Sequence, residues 1–124
     1  MGRLSEAERI EREVVVERKN VGGPKHIDTL KAAESYALIL HRLERYSEAE
    51  AVWREVMEGR EQLGGLRDEE TLRVKLSYGV TLQEDKELKA AKQVYLEVIK
   101  AGEESLGSGH WLVKEALENY QLIG

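Results

Sequence analysis

The sequence contains no cysteine, a single proline and few aromatic residues. The lack of cysteine excludes disulfides, thiolate nucleophiles and cysteine-bound metals, and it fits a reducing compartment. Aromatic residues make up 6% of the 124 residues, and a strand-rich fold would need more aromatic and β-branched residues. The proline, Pro24, lies in a Gly-Gly-Pro segment typical of a loop. Because helix-forming residues dominate, we expect an all-α protein.

Long apolar runs and excess positive charge are also lacking. The formal net charge is −5, so the sequence offers no electrostatic surface for nucleic acid or an anionic membrane. No apolar run approaches the length of a membrane span, and the residues after Met1 lack the apolar core of a signal peptide. We therefore expect a cytoplasmic protein with neither a nucleic-acid nor a membrane partner.

The clearest positive feature is an internal repeat with a period of 42 residues. One register holds along nearly the whole chain, which a chance alignment would not do. The pairs of identical residues include Gly22 and Gly64, Gly23 and Gly65, Thr29 and Thr71, Leu30 and Leu72, Ser35 and Ser77, Tyr36 and Tyr78, Leu40 and Leu82, Ala49 and Ala91, and Val52 and Val94. A period of this length is typical of solenoid proteins.

Each repeat has the pattern of two amphipathic helices, which we designate A and B. In the first complete unit, helix A is predicted over about residues 26–43, with Asp28 or Thr29 as its N-cap. Ser47 is predicted to cap helix B, which ends near Gly64. Because two short helices cannot bury their apolar stripes alone, successive pairs are expected to stack.

These residues resemble tetratricopeptide repeats of the 42-residue variety found in kinesin light chains. The segment Gly23-Pro24-Lys25-His26-Ile27-Asp28-Thr29-Leu30 is similar to the loop between such repeats. The small and aromatic positions of the repeat are matched by Ala37, Tyr46, Ala49, Trp53, Gly79, Ala91 and Tyr95. The resemblance implies a right-handed α-solenoid of antiparallel helix pairs, with about six helices in the order B-A-B-A-B-A.

Some positions depart from the family pattern. Glu44 and Lys86 stand where the turn between helices usually has glycine, and Glu11 stands where the later units have Trp53 and Tyr95. These departures affect the packing expected at the N-terminal edge rather than the architecture.

We expect a single tetratricopeptide-like domain over residues 1–124. It would contain a half unit (about 1–23), two complete units (24–65 and 66–107) and a second half unit (108–124).

Both terminal helices are expected to leave an apolar stripe unmatched. The residues of these stripes are Ile10, Val14 and Val15 in the first helix, and Leu112, Leu117, Tyr120 and Leu122 in the last. Either the ends are tolerated or covered by neighbouring sequence, or the last helix of one chain completes the first helix of another.

No pattern of residues predicts catalysis. His26 and His110 occupy equivalent loop positions, and neither has a second ligand at metal-site spacing, so a loop or capping role is expected. The carboxylates lie in charge-alternating runs, such as residues 6–9 and 11–13, which are typical of solvated helix faces. We expect no enzyme activity, no cofactor and no metal.

The resemblance also implies a binding surface, because in tetratricopeptide arrays the A helices line a concave groove that receives peptides or helices. The groove positions here are Lys31, Glu34, Leu38, His41 and Arg42 in the first complete A helix, Arg73, Leu76, Val80, Gln83 and Glu84 in the next, and Glu115, Glu118 and Leu122 in the last. Leu38, Val80 and Leu122 are 42 residues apart in turn, and they either anchor a partner or pack within the fold.

The function implied is a protein–protein interaction module or scaffold. The alternative is a structural element that self-assembles through its open terminal helices.

Overall fold

The computed structural model describes residues 2–124, and within them it contains six helices and no strand. The helices are α1 (Gly2–Gly22), α2 (Ile27–Arg42), α3 (Tyr46–Gly64), α4 (Glu69–Glu84), α5 (Leu88–Ser105) and α6 (Trp111–Ile123). In the nomenclature of the repeat, α2, α4 and α6 are A helices, whereas α1, α3 and α5 are B helices. The predicted all-α fold, with six helices in the order B-A-B-A-B-A, is confirmed.

The chain divides into two compact units. Unit 1 extends to Arg60, and unit 2 runs from Glu61 to Gly124. In unit 1, α1 packs along α2, and residues 46–60 of α3 complete the unit. In unit 2, α5 packs against both α4 and α6, which also contact each other.

The core of unit 1 follows the helical spacing of its apolar residues. Its largest member is Trp53, which is fully buried, and Leu30 packs against the backbone at Gly59. Burying a side chain of this size contributes roughly 1.5–3 kcal/mol. The buried apolar residues of the unit are Val15, Leu30, Ala33, Ala37, Leu40, Ala49, Trp53 and Val56.

The core of unit 2 is built in the same register. Tyr95 stands where unit 1 has Trp53, and its ring is packed directly against Gly79 of α4. The small residue therefore allows α4 and α5 to approach closely, as the repeat pattern predicts. The core cluster consists of Leu72, Leu76, Leu82, Ala91, Tyr95, Val98, Leu112 and Ala116.

The three A helices begin with one backbone geometry. His26, Asp68 and His110 are the N-caps, with φ between −69° and −64° and ψ between 140° and 144°. The Nδ1 atom of His26 accepts a hydrogen bond from the backbone N–H of Asp28 at 3.1 Å, and Asp68 caps Glu70 in the same way. Such caps satisfy one of the free amides at a helix start.

The capping role expected for His26 and His110 is confirmed, whereas the caps predicted at Asp28 or Thr29 and at Ser47 are wrong. Asp28 and Thr29 both lie inside α2, and Thr29 is buried with no hydrogen-bond partner for its hydroxyl. Ser47 is likewise inside α3, which begins one residue earlier, at Tyr46. Asp and Thr are commoner N-caps than histidine, so the sequence alone favours Asp28 or Thr29 for α2.

The terminal helices are less open than their sequences predict. Val15 and Leu112 are buried within their own units, so the prediction that they are unmatched is wrong. Val14 and Tyr120 are half-buried. Ile10, Leu117 and Leu122 remain exposed. None of the helices in residues 2–124 combines the length and the apolar character that crossing a membrane requires.

Candidate functional site

The predicted groove residues of unit 1 lie on α2 and have different environments. Lys31 is exposed beside a shallow cavity of about 370 Å³, together with Glu11 and Arg18 of α1. Leu38 is 49% exposed, and Arg42 is also exposed.

Two groove candidates of unit 1 are held by neighbours. The ring of His41 meets the ring of Tyr46 edge-on, with 5.1 Å between the centroids. Glu34 is buried, and its Oε2 atom lies 2.8 Å from the guanidinium of Arg60. Glu34 is therefore engaged inside the unit and does not present a carboxylate to a partner.

In unit 2, the predicted residues of α4 and α6 lie on two helices that pack against each other. Val80 is half-buried, whereas Leu122 is 78% exposed. Glu84, Glu115 and Glu118 are exposed. Leu76 belongs to the core cluster, so it stabilises the unit rather than offering a contact surface.

Tyr95 of α5 links the two helices. Its hydroxyl donates a hydrogen bond of 2.7 Å to Oε1 of Gln83 on α4, and the carboxamide of Asn119 on α6 hydrogen-bonds to the same phenol. Burial, with the nearby charges of Glu115 and Glu84, raises the pKa of Tyr95 to about 12. The phenol therefore stays protonated. Through it, the side chains of Gln83 on α4 and Asn119 on α6 are held next to the same hydroxyl group.

Asn119 was missed by the sequence reasoning, although its spacing could have revealed it. It follows Glu115 by four residues and precedes Leu122 by three, which places all three on one helix face. We call the surface formed by Val80, Gln83, Glu84, Glu115, Glu118, Asn119 and Leu122 the α4–α6 face.

A second polar cluster was also missed, in unit 1. Glu8 of α1 is buried, and its carboxylate accepts hydrogen bonds from the hydroxyl of Tyr36 at 3.0 Å and from Arg12 at 3.1 Å. Arg45 lies 3.5 Å from the same carboxylate. The prediction that this part of α1 is a solvated face is therefore wrong for Glu8.

The Glu8 cluster has a structural explanation. Burial of the phenol, its hydrogen bond to Glu8 and the negative charge there all raise the pKa of Tyr36. Two arginines neutralise the carboxylate, and the tyrosine satisfies it, as a buried charge requires. The cluster joins α1 to α2, and the second positive charge, on Arg45, is balanced by Glu48 at 2.7 Å.

The repeat geometry agrees with a comparison against protein families. The model of the tetratricopeptide repeat matches residues 28–104, which is more than half of the 124 residues. The chain belongs to the tetratricopeptide repeat family. A search of curated protein sequences finds no match to this chain.

Solved structures share the fold of this chain. BtubC (BKLC) from P. vanneervenii aligns with a TM-score of 0.86 at 16% identity, over 98% of this chain and 49% of that one. The nearly identical kinesin-light-chain TPR-like repeats from Podosopora anserina align with a TM-score of 0.87 at 15% identity, over 98% of this chain and 58% of that one. This chain thus spans about half the length of these structures.

The family has a general role that fits this tetratricopeptide chain. Such repeats serve in general as scaffolds for protein–protein interaction, and they are generally not enzymes. The similarity to the solved structures, at 14–16% identity, shows the fold.

Proposed function

We propose that this chain is a protein-interaction module that binds a peptide or a helix of a partner protein on the A-helix faces of its units. In tetratricopeptide arrays those faces line the concave groove. The module acts as part of a scaffold, in the cytoplasm and without catalysis, and the cysteine-free composition is consistent with that compartment. A protein partner is preferred over nucleic acid because the net charge is −5.

The observation that carries this proposal is the exposure of Leu38 and Leu122. These two leucines and Val80 occupy one position of the 42-residue repeat. A purely structural role would need them buried, yet Leu38 is 49% and Leu122 78% exposed. Exposed apolar anchors with polar neighbours are what recognition of a peptide requires.

The test is selection of a displayed library of random linear peptides against the immobilised chain. The enriched peptides are synthesised, and their affinities are measured by isothermal titration calorimetry. We expect Leu38→Asp or Leu122→Asp to weaken binding by more than about tenfold, since a buried apolar anchor contributes about 1.5 kcal/mol or more.

The matched control is Leu66→Asp, because Leu66 is 58% exposed and lies in the loop before α4. This variant should bind as the parent chain does. Failure to enrich any peptide, or enrichment of peptides that bind all three variants equally, would refute the proposal.

A second candidate function is self-association through α1 and α6. It is favoured by the exposure of Ile10 on α1 and Leu117 on α6. Molar mass measured by light scattering should then rise with concentration and return to that of the monomer in Leu117→Glu. A molar mass that stays that of the monomer at high concentration would exclude this candidate.

A further inference from the structure

We propose that the α4–α6 face of unit 2 selects a partner segment that carries a lysine or arginine beside an apolar residue. This inference rests on the proposed function, because it names the chemistry of the partner at one part of the same surface. Three features of the face support it: an apolar anchor, an excess of carboxylates and a pair of oriented carboxamides.

The apolar anchor is provided by Leu122 and Val80. Leu122 is 78% exposed, and Val80 is half-buried on the adjoining helix. An aliphatic side chain of a partner, or the methylene stem of a lysine, would remove this surface from water. Burial of apolar area drives such an association.

Charge determines the kind of partner. Glu84, Glu115 and Glu118 are exposed, and none of the ion pairs formed within residues 2–124 includes them. Arg73, the cation among the groove positions of α4, is paired with Glu70 of its own helix at 2.8 Å. Lys114 is exposed on the same helix as Glu115 and Glu118, but no ion pair within residues 2–124 joins it to them. The three carboxylates outnumber this one lysine, so the face is negative and a basic partner complements it.

The effect of these charges is already evident inside the unit. Glu115 and Glu84, on different helices, each contribute to the raised pKa of the Tyr95 phenol. Because both carboxylates act on one hydroxyl, their fields overlap where α4 and α6 meet. Both carboxylates are exposed, so an ammonium or guanidinium group at the surface above this junction would be attracted by both.

The carboxamides add a means of holding the backbone of the partner. Since Gln83 accepts the Tyr95 proton through Oε1, its Nε2 hydrogens are left to donate to a carbonyl oxygen. Asn119 is held by the same phenol. Side chains that are already oriented lose less entropy when a segment binds.

The groove candidates of unit 1 provide an internal contrast. On α2, the groove candidates Lys31, His41 and Arg42 have basic side chains instead of carboxylates. The preference for a basic residue in the partner should therefore arise from unit 2 alone. The experiment can therefore separate the two surfaces by mutation.

The test repeats the selection of random displayed peptides with two charge variants. One is the triple variant Glu84→Gln, Glu115→Gln and Glu118→Gln. Its control is Glu6→Gln, Glu17→Gln and Glu103→Gln, which changes the net charge equally at exposed glutamates outside the face. Circular dichroism and urea unfolding establish that both variants fold as the parent chain does.

We expect the parent chain and the control to enrich lysine or arginine next to Leu, Ile, Val or Phe. Peptides from that selection should bind the face variant about fivefold more weakly, because each exposed ion pair contributes about 0.5 kcal/mol and the basic group interacts with two of the carboxylates. The loss should shrink at high salt, where surface charges are screened.

Two results would overturn the inference, and they differ in what they say about the proposed function. Peptides without basic residues that bind the face variant normally but lose binding in Leu122→Asp would refute the charge preference and leave the interaction module intact. Absence of any enriched peptide would refute both proposals.

Discussion

Gly79 lies directly against the ring of Tyr95: a Cβ atom added to Gly79 would be 2.7 Å from Cε1 of that ring. Non-bonded carbons pack about 3.5–4.0 Å apart, so an added methyl group must displace the ring or separate the helices. Alanine is favoured over glycine in a helix by about 1 kcal/mol, but overpacking costs about 1–3 kcal/mol. We expect Gly79→Ala to lower the free energy of unfolding by about 1 kcal/mol in urea denaturation.

The contact can be isolated with a double-mutant cycle. In a Tyr95→Leu background the obstructing ring is absent, so Gly79→Ala should be neutral or stabilising there. An alanine variant that is more stable than the parent chain in both backgrounds would show that the helices are not in close contact at this point.

Replacing Glu44 or Lys86 with glycine should stabilise the folded chain. They follow α2 and α4 with φ of 61° and 65°, the left-handed region that costs residues other than glycine roughly 1–2 kcal/mol. Glycine also makes the unfolded chain more flexible, which offsets about 0.4–1 kcal/mol. We expect Glu44→Gly and Lys86→Gly each to raise the free energy of unfolding by about 0.5–1 kcal/mol.

The converse change provides the control. Gly65 has φ of 92°, so Gly65→Ala should destabilise the chain in the same urea assay. If glycine at position 44 or 86 lowers stability instead, the side chain present there contributes more than the backbone conformation costs.

The buried ion pair of unit 1 should be sensitive to loss of either partner. Arg60 and Glu34 are 2.8 Å apart, with side chains only 8% and 11% exposed. Removing one partner from such a pair leaves a buried charge and costs about 3–5 kcal/mol. We expect Arg60→Met or Glu34→Met alone to cause a loss of this size in thermal and urea unfolding.

Replacing both partners distinguishes this mechanism from simple loss of packing. The double variant Glu34→Met with Arg60→Met leaves no unpaired charge, so it should be much more stable than the sum of the single changes predicts. Strict additivity would mean that the two charges do not interact.

Tyr95 should make folding stability depend on alkaline pH. Its pKa is raised in the folded protein to about 12, against an ordinary value of 10.0. A raised pKa means that the folded state holds the proton more tightly, so this stabilisation is complete below about pH 10 and is lost as the pH rises towards about 12. Urea unfolding across that range should show the decline, and Tyr95→Phe should lessen it.

Spectrophotometric titration of the tyrosines provides an independent measurement. The pKa of Tyr36 is raised too, so the titration uses a Tyr36→Phe background. There, one tyrosinate signal should appear near pH 12 and be absent when Tyr95→Phe is added. In concentrated urea, the same residue should titrate near the ordinary value of about 10. A native titration with no late step would contradict the burial of this phenol.

The repeat register made much of the fold predictable from sequence. Period and helical spacing identify which positions must be small or aromatic, and Ala37, Ala49, Trp53 and Tyr95 are all buried as expected. Such packing is specified locally, because each helix carries its own apolar stripe.

The polar interactions were less predictable, because their partners lie on different helices. Glu8 lies in a charged run typical of a solvated surface, but Tyr36, 28 residues later, hydrogen-bonds to it. Likewise, no spacing along α2 shows that Arg60 of α3 buries Glu34. Local patterns describe one helix at a time, whereas these contacts depend on how the helices are packed together.

The loops before the three A helices bear on whether arrays with more or fewer repeats can be built from this chain. Gly23, Gly65 and Gly107 have φ between 89° and 92°, and three residues later His26, Asp68 and His110 share one backbone geometry. In the loops before α2 and α4, the N–H of Gly23 or Gly65 also bonds to the carbonyl four residues earlier, so these two loops are equivalent whatever side chain provides the cap. We expect that a 42-residue unit cut out at these two loops can be duplicated or removed, giving longer or shorter arrays that fold without a redesigned turn.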